Sequence, residues 1–237
     1  MYKNIVTYCF LSVISLNSLL TNAQTPGSTL PQAQQYQVDG FLRDVKFNDA
    51  KAVKKALASG MSPNAMDDKG NSALSIAITE KSLDVAKLLI DTPSIDLERP
   101  NLAGETPVML AAFTGSDELV RYLVEKRQVE INKPGWSALH YAATNGHLKI
   151  VAYLLDNNAY VDPESPNKTT ALMMAARGGH IHVVKLLLEH DADLSKMNNL
   201  KMTAIDFAEQ HNQTEIVEGL KSRWQKLYKK PYKSQVK

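Results

Sequence analysis

The sequence holds a single cysteine among 237 residues, and 27 basic residues nearly cancel 25 acidic ones to leave a formal charge of +2. One cysteine excludes an intramolecular disulfide and any cysteine-rich zinc site. Several catalytic signatures are missing as well. There is no glycine-rich phosphate loop, no Gly-x-Ser-x-Gly elbow and no His-Glu-x-x-His pair. The remaining composition, 44% hydrophobic and 22% charged, is ordinary for a globular chain and excludes disordered, collagenous and multi-span membrane classes. At ~100–200 residues per domain, the length allows one domain or slightly more.

The near-zero charge is a sum of unlike parts. Lys3 precedes an apolar stretch from Ile5 to Leu20, followed by Thr21-Asn22-Ala23 and then Gln24. A positive start, a short apolar centre and small residues at −3 and −1 predict a cleaved secretory signal over residues 1–23. A membrane anchor is the competing reading, but Thr7, Ser12, Ser15, Asn17 and Ser18 interrupt the stretch. It also falls short of the ~20 apolar residues that a spanning helix needs. Cys9 leaves with the signal, so the expected mature chain is cysteine-free and suited to an oxidising compartment. The expected location is periplasmic or secreted, with no transmembrane span after cleavage.

Residues 24–37 are rich in Pro, Gln, Ser and Thr without apolar periodicity, which predicts a flexible linker. Residues 221–237 hold seven Lys/Arg and no Asp/Glu. Setting aside Lys3 and those seven leaves 19 basic residues against 25 acidic ones. Residues 24–220 therefore carry about −6 and the tail about +7.

The body repeats. The segments GNSALSIAI from Gly70, GETPVMLAA from Gly104, GWSALHYAA from Gly135, KTTALMMAA from Lys168 and KMTAIDFAE from Lys201 align without gaps. Their hydroxyl residues, Ser72, Thr106, Ser137, Thr170 and Thr203, are spaced by 34, 31, 33 and 33. Alanine recurs at 77, 111, 142, 175 and 208. Each Ser or Thr is placed to cap a short helix, and Pro107 suits a first turn where its missing N–H costs nothing. Gly115, Gly146 and Gly179 turn the chain. A second helix follows, with apolar residues three and four apart, such as Ile150, Val151, Tyr153, Leu154 and Leu155. Two helices of about ten residues cannot bury an apolar face alone, so the units must stack into one core.

The run Ser137-Ala138-Leu139-His140-Tyr141-Ala142-Ala143 with Gly146-His147, together with the period of about 33, resembles the ankyrin repeat. The resemblance implies an all-α ankyrin-repeat solenoid of stacked helix-turn-helix units joined by β-hairpin or loop fingers. It divides residues 38–220 into an N-terminal cap (38–66), four repeats (67–100, 101–131, 132–164 and 165–197) and a C-terminal cap (198–220). The basic tail (221–237) follows. Lys133 and Pro134 alone separate Asn132 from Gly135, which predicts a shortened finger under Trp136.

Chemistry has few places to reside. His180 and His182, with His190 further on, have the look of metal ligands. But His147 and His180 share one repeat position and His140 fills the family's signature histidine, which explains them as local hydrogen-bonding groups. Carboxylate pairs such as Asp117-Glu118 sit where a helix N-terminus favours negative charge. No catalytic residue, metal ligand or cofactor is expected.

The ankyrin resemblance instead implies a concave face that grips a protein partner, lined here by Asn71, Glu80, Glu105, Phe113, Trp136, Asn145, Arg177 and Met202. Large aromatics and Arg are the types enriched in binding hot spots. Phe113 and Trp136 are open to two readings, exposure in the groove or packing against an adjacent finger. In the tail, Trp224, Leu227 and Tyr228 either extend the last helix over the end of the core or accompany Arg223, Lys226, Lys229 and Lys230 onto an anionic envelope surface. Nucleic acid is not an expected partner. The expected function is a non-catalytic protein-binding or scaffold module exported from the cytoplasm; the alternative is a toxin-neutralising or host-directed effector. The first expectation is open to direct measurement: protein isolated from producing cells should begin at Gln24 by intact-mass analysis, and a chain retaining Met1 would contradict it.

Overall fold

The computed structural model describes residues 32–236. The expected signal, Cys9 and residues 24–31 of the expected linker lie outside the described residues. Within them, twelve α-helices follow one another as six antiparallel pairs. They are α1 (Gln32–Lys46) with α2 (Ala50–Ala58), α3 (Ala73–Thr79) with α4 (Leu83–Ile90), and α5 (Pro107–Thr114) with α6 (Asp117–Arg121). Then come α7 (Ala138–Thr144) with α8 (Leu148–Asp156), α9 (Ala171–Gly178) with α10 (Ile181–Glu189), and α11 (Ala204–Gln210) with α12 (Thr214–Tyr228). The first helices of successive pairs stack in one layer and the second helices in another, each touching its neighbours in sequence.

Helix starts follow the capping logic with two exceptions: the Thr106 hydroxyl is buried without a hydrogen-bond partner, and the Ser137 hydroxyl takes another role. The side-chain oxygens of Ser72 and Thr170 accept from the N–H groups of Ser75 and Met173 at 3.1 and 3.3 Å. That of Thr203 accepts from Ile205 at 3.2 Å. Ser137 instead turns its hydroxyl toward His140 Nδ1, 3.0 Å away. The recurrent alanines 77, 111, 142, 175 and 208 are fully buried. Their lack of bulk lets the first helices approach closely enough for Leu74, Leu139 and Leu172 to interlock between them.

A second set of bonds ties four of the five later units to the one before. The residue preceding the second helix sends its side chain back to a carbonyl at the end of the earlier first helix. Ser82 Oγ donates to Lys46 O at 3.0 Å, His147 Nε2 to Phe113 O at 3.0 Å, His180 Nε2 to Thr144 O at 3.0 Å and Gln213 Nε2 to Arg177 O at 3.3 Å. A carbonyl only accepts, so Nε2 carries the proton in both histidines. Gly115 is required beneath this ladder. Its φ is +77°, and a Cβ there would stand 2.5 Å from His147 Cε1.

The structure departs from expectation in two places, at the start of the first helix and at the end of the last. Helix α1 begins at Gln32, inside the expected linker, because Val38, Phe41, Leu42 and Val45 face the core and the preceding Gln and Ala residues favour helix. Of the two finger forms expected, loops are what the structure holds: among the described residues the one β-bridge joins Met66 and Ser72. Side chains shape these loops, as when Asn101 Oδ1 accepts from Ala103 N and Glu105 N at 3.0 and 2.9 Å. The finger under Trp136 is shortened at its tip. Asn64, Glu98 and Asp162 each accept a backbone N–H of the following unit and stand eight residues before the caps Ser72, Thr106 and Thr170, whereas Asn132, in the same role, stands five before Ser137. In the unit before it, α6 widens into a π-helical turn over Tyr122–Lys126. Finally, α12 runs without interruption across residue 220, so the expected boundary between C-terminal cap and tail is not a structural one.

The ladder yields a measurable contrast. Gly104 also has positive φ, +81°, but open space around its Cβ direction. Gly104→Ala should therefore cost only the backbone term of ~1–2 kcal/mol. Gly115→Ala should cost about 1 kcal/mol more by displacing His147. In thermal melts the second variant should fall below the first by roughly 2–4 °C; equal midpoints would remove the His147 contact as a constraint.

Candidate protein-binding face

The exposed ends of the first helices and the finger residues just before each cap line one side of the stack. This side divides into open and closed positions. Among the residues preceding the caps, Asn71 keeps some exposure but binds its own finger, Nδ2 donating to Asp67 Oδ2 at 2.9 Å. Glu105 and Met202 are only 7% and 5% exposed and are not available to a partner, contrary to their place in the sequence pattern. Glu105 is closed over by its neighbours, accepting from Tyr141 Oη at 3.0 Å and from Asn101 Nδ2 at 2.8 Å. A register position tells which face a residue belongs to, and not what the next unit lays across it.

Trp136 stays half-buried. Its indole stands edge-on to the His140 ring at 5.2 Å and 74°. It packs against its own helix and borders a groove of about 370 Å³. Pro100, Met109, Pro134, Tyr141 and Pro166 complete the apolar lining, and the ion pair between Glu98 and Lys133 stands at its edge. Phe113, also half-buried, meets Tyr141 edge-to-face with centroids 6.0 Å apart. Trp136, Tyr141 and Phe113 thus form an aromatic strip crossing from one finger to the preceding first helix.

The strip continues into polar residues. Asn145 is exposed and donates from Nδ2 to Phe113 O at 2.7 Å, so its amide is already oriented. Arg177 is half-buried and donates from Nε to His211 Nε2 at 3.2 Å. His211 in turn donates from Nδ1 to Phe207 O at 2.9 Å. Glu80 lies at the far end, exposed and paired with Lys46 at 3.3 Å. Of the tail residues, Arg223, Lys226, Lys229 and Lys230 are all exposed. Tyr141, Met109 and the three prolines were missed by sequence reasoning. Tyr141 had a legible signal, being the fourth residue after its cap and so on the same helical face as the residues seven and eight beyond it.

His140 underpins this region. It is completely buried, its Nε2 donates to Thr169 O at 2.9 Å in the next finger, and its Nδ1 accepts from Ser137 N at 3.2 Å. Burial pushes its pKa down to about 4 although its bonds to backbone carbonyls oppose that shift. The imidazole is therefore neutral and serves as a strut between units rather than as an acid or base. His182 and His190 are exposed on and after α10. Among the described residues, no three His, Cys, Asp or Glu side chains gather as a metal site, and no helix is long and apolar enough to cross a membrane.

Helix pairs stacked in register and tied neighbour to neighbour define a repeat solenoid. The chain matches the family described as ankyrin repeats (3 copies) over residues 43–132, 94–167 and 157–229, and it belongs to that family. Ankyrin repeats generally mediate protein–protein interaction, and proteins built from them are typically non-catalytic. Relatives include neurogenic locus notch homolog protein 1 of Xenopus laevis, 30% identical over 54% of this chain and 5% of that protein. Human ankyrin repeat domain-containing protein 63 is 36% identical over 41% of this chain and 27% of its own length. The mouse B-cell lymphoma 3 protein homolog is 33% identical over 51% and 28%. The chain thus aligns with well under a third of each of these relatives.

The His140 environment sets a pH dependence. Its folded pKa lies below the ordinary value, so its contribution to stability is complete above about pH 6.5 and is lost as pH falls toward 4. That loss amounts to about 3 kcal/mol. Unfolding curves recorded between pH 7 and pH 4 should show a steeper decline for the native chain than for His140→Gln, by roughly one proton. Parallel curves would refute the assignment.

Proposed function

We propose that this protein is a non-catalytic binding module that holds a protein partner against the strip running from Trp136 and Phe113 to Asn145 and Arg177, and that it works outside the cytoplasm. The observation that carries the reading is the Trp136 groove. A large aromatic keeps one side open beside an apolar hollow while its other side is held by His140. A pre-positioned aromatic loses little conformational freedom when it is covered, which is why such residues dominate binding energy. The prolines on three successive fingers stiffen the walls, and the oriented amide of Asn145 offers a fixed polar contact at the border.

The export part of the proposal is supported by the residue pattern from Lys3 to Ala23 and by a remaining sequence without cysteine. Both features suit an oxidising compartment.

The concave-face assignment predicts that Trp136→Ala combined with Phe113→Ala weakens partner capture about 30-fold or more, as expected for loss of hot-spot aromatics. Lys185→Ala, on the exposed side of α10, should leave capture unchanged. Affinity purification from the native source, followed by titration of the recovered partner against all three proteins, measures this. Equal affinity of the double variant, with its melting curve intact, would overturn the proposal.

A further inference from the structure

The C-terminal segment separates into an inward and an outward set of side chains. Trp224 faces inward, its ring 4.3 Å from Tyr228 and 5.0 Å from Tyr232. The Tyr232 hydroxyl donates to Asp206 and lies 2.7 Å from Thr203 Oγ1. These are the capping residues of α11, so residues after α12 fold back across the outer side of the last described pair. The turn is held in place from beneath.

The outward set differs in kind. Lys226, Lys229, Lys230 and Lys233 are exposed and form no ion pair among the described residues. Four of the fourteen lysines between residues 32 and 220 are ion-paired, Lys46 with Glu80, Lys87 with Glu118, Lys133 with Glu98 and Lys196 with Glu164; the end differs from the rest in that residues 221–237 contain no Asp or Glu at all. Between the unmatched lysines stand Leu227, 55% exposed, and Tyr228, 37% exposed. Leu227 follows Leu220 by seven residues and so continues the stripe of Ile216 and Leu220, which are buried. It is uncovered because the neighbouring helix ends first. Arg223 donates to Leu188 O at 3.2 Å, at the end of α10, and the rest of α12 projects beyond that contact.

We infer that this projecting end is a peripheral anchor for the surface of a bilayer containing anionic lipid, with the four lysines among the headgroups and Leu227 and Tyr228 at the headgroup–acyl boundary. Lysines without acidic neighbours are drawn to a negative leaflet, each gaining about five-fold in partition and the four together on the order of 10²–10³-fold. Apolar side chains interleaved with them add a component that salt does not screen. That second component favours a bilayer over a soluble polyanion, which offers Leu227 nothing to enter. The inference is independent of the groove around Trp136, which lies on other units.

Vesicle sedimentation with the full chain tests it. One set of vesicles is pure phosphatidylcholine and the other contains phosphatidylglycerol as about a third of the lipid. Binding should be at least tenfold stronger to the anionic vesicles and should weaken as salt is raised. The quadruple variant K226Q/K229Q/K230Q/K233Q should lose that preference. Leu227→Asn should reduce anionic-vesicle binding several-fold yet leave retention on soluble polyglutamate unchanged. Any attachment through the N-terminal apolar stretch is common to all variants and both lipids, so it cancels in the comparison. Equal binding to both vesicle types, or an unaltered preference in the quadruple variant, would overturn the inference. So would a Leu227→Asn protein that binds anionic vesicles as well as the native chain, which would point to a soluble polyanion instead.

Discussion

Close approach of the first helices is the constraint on which this molecule depends. Each helix between the first and the last is two or three turns, too short to persist in water, and each pair exposes an apolar face that it cannot cover by itself. Five fully buried alanines bring the helices near enough for the leucines beside them to interdigitate, and only then does burial outweigh the ordering of so many short segments. The ladder from Ser82, His147, His180 and Gln213 follows from that spacing, since those side chains reach a carbonyl of the preceding unit only when the layers are close. Stability of this kind is assembled from neighbour contacts, so an irregularity in one unit need not disturb units further away.

Such an irregularity lies in the middle of the stack. The unit with the shortest step ends its second helix in a π-helical turn, and the finger that follows is three residues shorter than its siblings. A π-turn inside an otherwise regular helix is uncommon and often marks a place where regular packing has yielded to something else. The groove beside Trp136 opens next to this unit. Its lining combines three prolines with three rings or thioethers, whereas a buried neutral histidine, rather than a charged group, supports the indole. The local chemistry is that of a stiff apolar cleft and not of a proton-transfer site.

The two ends of the solenoid solve a different problem, because an end unit has a neighbour on one side only. At the N-terminus α1 extends farther than a repeat requires and lays Phe41, Leu42 and Val45 over the first stacked unit. At the C-terminus the tail supplies Trp224 and Tyr232 in place of a further repeat, and Tyr232 satisfies Asp206 where an inner unit would use the following finger. The positive charge of the tail sits on the outer side of this seal. Capping and the basic surface are thus separate properties of one short segment.

The repeat count of the stacked body, the register of each unit, the capping residues and the division of charge were all determined by the sequence itself. Those features arise from local requirements that recur with the period: a hydroxyl to cap, a small residue to admit a neighbour, a residue of positive φ to turn. The start of α1 was not legible, because Gln-rich sequence without periodicity becomes helical only when Phe41 and Val45 have a surface to cover. Nor could the pattern say that Glu105 and Met202 are closed while Trp136 remains partly open, or that Leu227 escapes the stripe to which it belongs. Exposure at a repeated position depends on what the adjacent unit places against it, and on where that unit ends. Tertiary structure alone decides those, because they are relations between segments about thirty residues apart and not properties of either segment.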